Sequence, residues 1–63
     1  MAESLVASIE GPLGTAEIYE VTDTLETGAL GVAYEVRAAE VVQKFQALGA
    51  AYIAAGELTG AKT

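Results

Sequence analysis

Four acidic residues, Glu17, Glu20, Asp23 and Glu26, recur at every third position in the first half of the chain. Carboxylate oxygens are the ligands that Ca²⁺ and Mg²⁺ prefer, so a cation site is the first chemistry to consider. The spacing argues against such a site, because odd offsets alternate faces on a strand and three steps of three turn halfway round a helix. A calcium loop would also need acids at alternate positions around a central glycine. We therefore expect no metal site and no cofactor.

Few other groups in the chain could catalyse a reaction. It contains no histidine and no cysteine, so the usual proton shuttle and the thiolate nucleophile are missing. Ser4 and Ser8 have no evident base nearby, and Lys44 is the one plausible amine nucleophile. The glycines at positions 28 and 31 are not followed by the Lys-Ser or Lys-Thr of a phosphate-binding loop. The sequence predicts a protein that is not an enzyme.

The charge of the chain indicates which partners it would attract. Nine acidic and three basic residues leave a net charge of −6, and residues 1–40 hold eight of the acids and one base. A negative potential repels nucleic acid and anionic membranes and attracts a basic protein surface. We expect such a partner to be contacted by Glu17, Tyr19, Glu20, Asp23 and Glu26, with Tyr19 as an anchor because tyrosine is favoured in interfaces. The alternative is that the charge only keeps a small apolar protein in solution.

The sequence shows no targeting signal and no membrane span. It starts without the basic and apolar regions of a secretory signal. The apolar run at residues 47–55 is interrupted by Gly49 and is far shorter than the roughly 18 residues of a spanning helix. The expected location is the cytoplasm.

Glycine and proline divide the first part of the chain into strands. Gly11-Pro12-Leu13-Gly14 is a strong turn signal. The alternating residues 4–10 before it and the β-branched and aromatic residues 15–22 after it predict a hairpin. A glycine-containing loop over residues 23–31 follows, and residues 32–38 alternate as in a half-buried strand.

The hydrophobic period changes near residue 39 from two to about 3.6. The spacing predicts a helix over residues 40–56, with Gly56 as its stop and Gly60 as a second possible stop, followed by a frayed tail at 59–63. Tyr34 and Tyr52 lie on apolar faces and are predicted to be core residues. The bulky stripe of the predicted helix consists of Val41, Val42, Phe45, Leu48, Tyr52 and Ile53.

These elements predict one small α+β domain spanning residues 1–63. Three antiparallel strands would be packed by one C-terminal helix, in the order β-β-β-α. The competing interpretation is a mostly helical chain, with one helix running from near Ala29 to Ala55; β-branched and aromatic residues between positions 32 and 36 disfavour it.

Two functional hypotheses fit this fold. The leading one is a non-enzymatic protein-binding module, in its sharpest form an inhibitor that occupies a basic, nucleic-acid-binding surface. The alternative is a structural or accessory subunit that associates with itself or with a larger complex. Folding of so small a domain buries only about 60% of the surface that the unfolded chain exposes, and association would bury more. Its interface would be the smooth side of the helix, formed by Ala47, Ala50, Ala51 and Ala54.

Overall fold

A computed structural model describes residues 2–61 of the chain. Four strands form one antiparallel sheet in the order β1-β2-β3-β4, and a helix follows them. The α+β class and the C-terminal helix are confirmed, and the mostly helical alternative is not supported. The sheet has four strands where three were predicted. The elements are β1 (Ala2–Gly11), β2 (Gly14–Thr24), β3 (Leu30–Ala38), β4 (Val41–Phe45) and α1 (Leu48–Thr59).

The second hairpin, between β2 and β3, is closed by a shorter loop than the predicted residues 23–31. The Leu25 N–H donates to the Ala29 carbonyl at 2.8 Å, and the Gly28 N–H donates to the Leu25 carbonyl at 2.9 Å. Gly28 has a φ of 87°, a conformation that glycine adopts without steric cost. These bonds extend strand pairing to Thr24 and Leu30, so both strands project further than the sequence pattern indicated.

The predicted helix over residues 40–56 is wrong in its first part. Residues 41–45 form β4, which pairs with β3 from Ala38 opposite Val41 to Tyr34 opposite Phe45. The chain reverses between these strands at Ala39, whose φ is 51°. Neighbouring β-branched valines favour a strand over a helix, and their helix-like spacing from later apolar residues was coincidental. The helix therefore begins at Leu48.

The core lies between α1 and one face of the sheet, which we call the inner face. Ile18 and Val36 are directly paired on β2 and β3, and both are fully buried. The helix turns small side chains towards them, including the fully buried Ala51 and Ala55. Positions 51, 54, 55 and 58 form the inward stripe of a helix that starts at 48, which leaves positions 52 and 53 outside. Tyr52, predicted to be a core residue, is 42% exposed, and Ile53, a member of the predicted bulky stripe, is 68% exposed.

The end of the helix is anchored to the turn between β1 and β2. The buried Thr59 hydroxyl donates to the Ala55 carbonyl at 2.8 Å, and the Leu13 N–H donates to the Thr59 carbonyl at 2.9 Å. Gly60, with a φ of 75°, ends the helix. Thr59, the first residue of the tail predicted to be frayed at 59–63, is the last residue of the helix. The fraying itself stays a prediction, and residues 62 and 63 lie outside the described part of the chain.

The helix is much shorter than the strands it covers. Twelve helical residues span about 18 Å, whereas the eleven residues of β2 span about 36 Å. The helix starts just after Phe45, which pairs with Tyr34 near the middle of β3, and ends against Gly11 and Leu13 at one end of the sheet. Roughly half of the inner face thus has no helix over it among residues 2–61.

Candidate functional site

The uncovered half of the sheet is a projecting hairpin. We call residues 20–34 the hairpin arm: the end of β2, its loop and the start of β3. Glu20 pairs with Tyr34 at its base, and Thr24 pairs with Leu30 at its last rung. β4 ends opposite Tyr34, so β3 has no neighbouring strand on that side from residue 30 to residue 33 in the described chain. The arm therefore has no helix over its inner face and one unpaired strand edge, whereas on its other face Val21 is only 8% exposed.

Half of the net charge is concentrated in the arm. Glu20, Asp23 and Glu26 lie within its fifteen residues, and no lysine or arginine does. Glu26, in the loop, and Asp23, on β2, are exposed, while Glu20 is half-buried. The chain's three basic residues, Arg37, Lys44 and Lys62, all lie outside this segment. The arm is consequently an acidic projection with no basic residue of its own to compensate it.

The arm also carries large apolar side chains in contact with solvent. Leu25 is 52% exposed, Leu30 70% and Val32 46%. Leu30 and Val32 share the strand parity of the buried Val36, so they lie on the inner face. Leu25 lies against Gly31 on the opposite face, so Leu30 and Val32 form the exposed apolar pair of the inner face. Exposed apolar residues that are grouped and rimmed by polar residues are typical of a protein-binding surface.

Three of the five predicted contact residues meet in the arm, and two do not. Glu20 is on the inner face, Asp23 is on the opposite face and Glu26 is in the loop. Glu17 and Tyr19 lie below the arm, on the face opposite the helix, which we call the open face. The five residues therefore do not form one surface, because side chains at odd offsets along a strand alternate between faces.

Glu17 and Tyr19 belong to a cluster of side chains on the open face that contact one another. The Arg37 guanidinium lies 4.2 Å from the centre of the Tyr19 ring. Arg37 also donates to Glu35 and, at 3.0 Å, to Glu3, while the Tyr19 hydroxyl donates to Glu17 at 3.0 Å. Because Arg37 already covers the ring, the open face is less suited to hold an interface anchor than the sequence predicted.

The hydrogen bonds of this cluster also shift proton affinities. The bond donated to the Glu17 carboxylate raises the pKa of the Tyr19 phenol above its ordinary value. Hydrogen bonds to Glu35 and then Glu3 raise the pKa of the Arg37 guanidinium. Both effects stabilise the protonated, paired form of the cluster. The cluster links three strands through one guanidinium, one phenol and three carboxylates.

The alanines predicted to form an oligomer interface are not on one outer surface. Ala51 is fully buried and Ala54 is 9% exposed, because both face the sheet. Ala50 is half-buried, and Ala47 is an exposed residue just before the helix. The outer side of α1 instead presents Tyr52 and Ile53. The predicted contact through Ala51 and Ala54 is therefore corrected: these positions are already occupied by the chain's own core.

Two clefts among residues 2–61 open to solvent. One of about 320 Å³ lies where the two turns approach the helix end, lined mainly by Leu13, Thr15, Ala38, Val41 and Leu58. Another, of about 240 Å³, runs beside the arm along Val21, Asp23, Leu25, Ala33 and Lys44. Within residues 2–61, no group of three acidic side chains is placed to hold a metal ion. Over the same residues, no helix has the length and apolar character needed to cross a membrane.

Comparison of the chain with protein-family models, with curated proteins and with solved structures finds no match. The distribution of basic residues in the sequence indicates the arm, whereas the regular spacing of its acids does not. Between Glu20 and Tyr34 there is no basic residue, and the apolar residues of this segment are separated by acids and by residues typical of turns.

Proposed function

We propose that this chain is a non-enzymatic protein-binding module that contacts a basic partner protein through its hairpin arm. The observation that carries the proposal is the coincidence, in one uncovered projection, of three acids without a base and three exposed large apolar side chains. Apolar area supplies the affinity of most protein interfaces, and complementary charge supplies rate and specificity. The arm offers both.

The charge density of the arm favours a mixed acidic and apolar contact over close imitation of a nucleic acid. Duplex DNA carries one charge per about 1.7 Å of its axis, so a stretch as long as β2 would carry about 20. The chain has a net charge of −6. The sharper hypothesis is that the chain inhibits a partner by occupying its nucleic-acid-binding surface. If this surface is the one that binds the chain, duplex DNA should displace the captured partner from the chain.

Capture from a lysate of the native host tests the arm against a matched control. One bait variant neutralises the arm (Glu20→Gln, Asp23→Asn, Glu26→Gln). A second neutralises three exposed acids elsewhere (Glu10→Gln, Glu40→Gln, Glu57→Gln), so that both have the same net charge. We expect one or more basic proteins to be retained at low salt by the unchanged chain and by the second variant, but reduced about tenfold with the arm variant.

The retained proteins are identified by mass spectrometry and eluted with increasing salt. Elution at moderate ionic strength is expected, because exposed charges are screened over about 10 Å at 0.1 M salt. Equal loss of binding in both variants would show that net charge alone is responsible. Retention that does not respond to salt or to either variant would remove the electrostatic contact from the proposal.

A second candidate, a self-associating or accessory subunit, is favoured by the outer side of α1. Tyr52 and Ile53 are exposed there, and Glu57 is the only charged residue in the helix. This candidate predicts that light scattering finds a mass above that of the monomer and that Ile53→Asp restores the monomer. A monomer across the concentration range would contradict self-association and leave the arm proposal unaffected.

A further inference from the structure

The inner face of the hairpin arm is about as long as a helix of the size of α1. The sheet exceeds the helix by about 18 Å along β2, which is the length of about 12 helical residues. Helix α1 starts at Leu48, beside the base of the arm, and runs away from it towards Gly11. The layer that α1 forms over one half of the sheet therefore stops at Tyr34, and no element among residues 2–61 covers the inner face beyond it.

The side chains of this face suit an apolar contact with an acid beside it. Leu30, Val32 and Tyr34 follow one another on β3, and Glu20 is paired with Tyr34 on the neighbouring strand. The flank of the face on β1 is formed by the small residue Ser4, which pairs with Glu20. An element lying on the face would meet an apolar strip along one side and a carboxylate along the other.

From this geometry we propose that the partner inserts an amphipathic helix with lysine or arginine beside its apolar stripe. The inference rests on the proposed function and names the partner's binding element. The apolar stripe would cover Leu30 and Val32, as α1 covers Val36, and the basic side chains would reach Glu20 and the loop acid Glu26. A helix continues the existing layer, whereas a strand added at residues 30–33 of β3 would leave the inner face bare.

Two synthetic peptides of about 14 residues, close to the length of the bare face, distinguish these arrangements. Both contain leucine and lysine in equal numbers; one has the helical period and the other alternates as a strand does. Each is titrated into the full chain labelled with ¹⁵N and ¹³C. We expect the helical-period peptide to bind about tenfold more tightly than the alternating one, with shifts at Glu20, Leu30 and Val32.

Matched variants of the chain locate the contact. Val32→Asp places a charge on the inner face of the arm, and Val42→Asp places one on the open face; both valines are exposed, at 46% and 60%. Val32→Asp should weaken binding of the helical-period peptide about tenfold, because the aspartate would lose water on binding, and Val42→Asp less than about twofold. If the NMR spectrum shows that Val32→Asp does not fold, Leu30→Asp, at the last rung and 70% exposed, takes its place.

The outcomes separate the inference from the proposed function. If the alternating peptide binds as tightly, or if shifts are confined to the β3 edge at Gly31 and Ala33, the helix is the wrong element and the arm remains the binding site. If shifts in residues 20–34 are absent with both peptides at low salt, the inference and the arm proposal both fail. If Val32→Asp and Val42→Asp weaken binding of the helical-period peptide equally, the inference is also overturned.

Discussion

Replacing Gly11 by alanine is expected to lower the free energy of unfolding by about 3 kcal/mol, the upper part of the range for overpacking a tight site. A Cβ at this position would overlap the Thr59 carbonyl oxygen and lie 2.9 Å from the Ala61 nitrogen. These are main-chain atoms at the end of α1, so no side-chain rotation can relieve the clash. A domain of this length is stable by only roughly 3–9 kcal/mol, and urea denaturation followed by circular dichroism should show the loss directly.

Gly49→Ala is the matched control for Gly11→Ala. Gly49 lies at the start of α1, and apart from its chain neighbours and the nearby main chain of the helix, no described atom lies within 4 Å of the position its Cβ would take. Alanine there should be neutral or stabilise the chain by about 0.5 kcal/mol, since it is the better helix former. If Gly11→Ala unfolds at the same urea concentration as the unchanged chain, the contact between the first turn and the helix end is not present.

The second large effect is expected at Ile18. It is fully buried at the centre of β2, in a cluster whose other fully buried members are Val36 and three alanines. Few large side chains supply the buried apolar area of this core, so Ile18→Ala should cost about 3 kcal/mol, within the range for such truncations. The midpoint of thermal unfolding should fall by roughly 12–24 °C, which a temperature scan by circular dichroism measures.

Ile53→Ala removes the same atoms from the outer side of the helix. Ile53 is 68% exposed, so this change should alter the free energy of unfolding by less than about 0.5 kcal/mol. If Ile18→Ala and Ile53→Ala lower the free energy of unfolding equally, the described packing is contradicted. A loss at position 53 that grew with protein concentration would instead indicate that a second copy covers the helix.

The first three strands could be predicted because their turn residues and alternating apolar residues are local features of the sequence. The turn at Gly11 to Gly14 and the strict alternation from Val32 to Ala38 are signals that tertiary packing did not override. β4 could not be separated from the helix by the same reasoning. Val41 and Phe45 are four residues apart, a spacing that suits a helix face, and the reversal at Ala39 requires a positive φ that alanine rarely adopts.

Three of the acidic residues that the sequence predicted as contacts, Glu20, Asp23 and Glu26, lie in the arm on different sides of it, and their contact with a partner stays a prediction. The sequence could not indicate that the arm is uncovered, because this depends on the length of α1 relative to β2, and the helix was predicted to begin eight residues too early. It also could not show that Arg37, eighteen residues after Tyr19, lies over the ring of that tyrosine.

The most direct test of the account is methyl NMR of the full chain with the captured partner protein. The arm contributes the methyl groups of Leu25, Leu30 and Val32; Leu5 and Val42 report on the open face, and Ile53 reports on the outer side of the helix. The account predicts that the arm methyls shift or broaden when the partner is added, while the other three stay unchanged. Changes confined to Ile53, or to Leu5 and Val42, would contradict it.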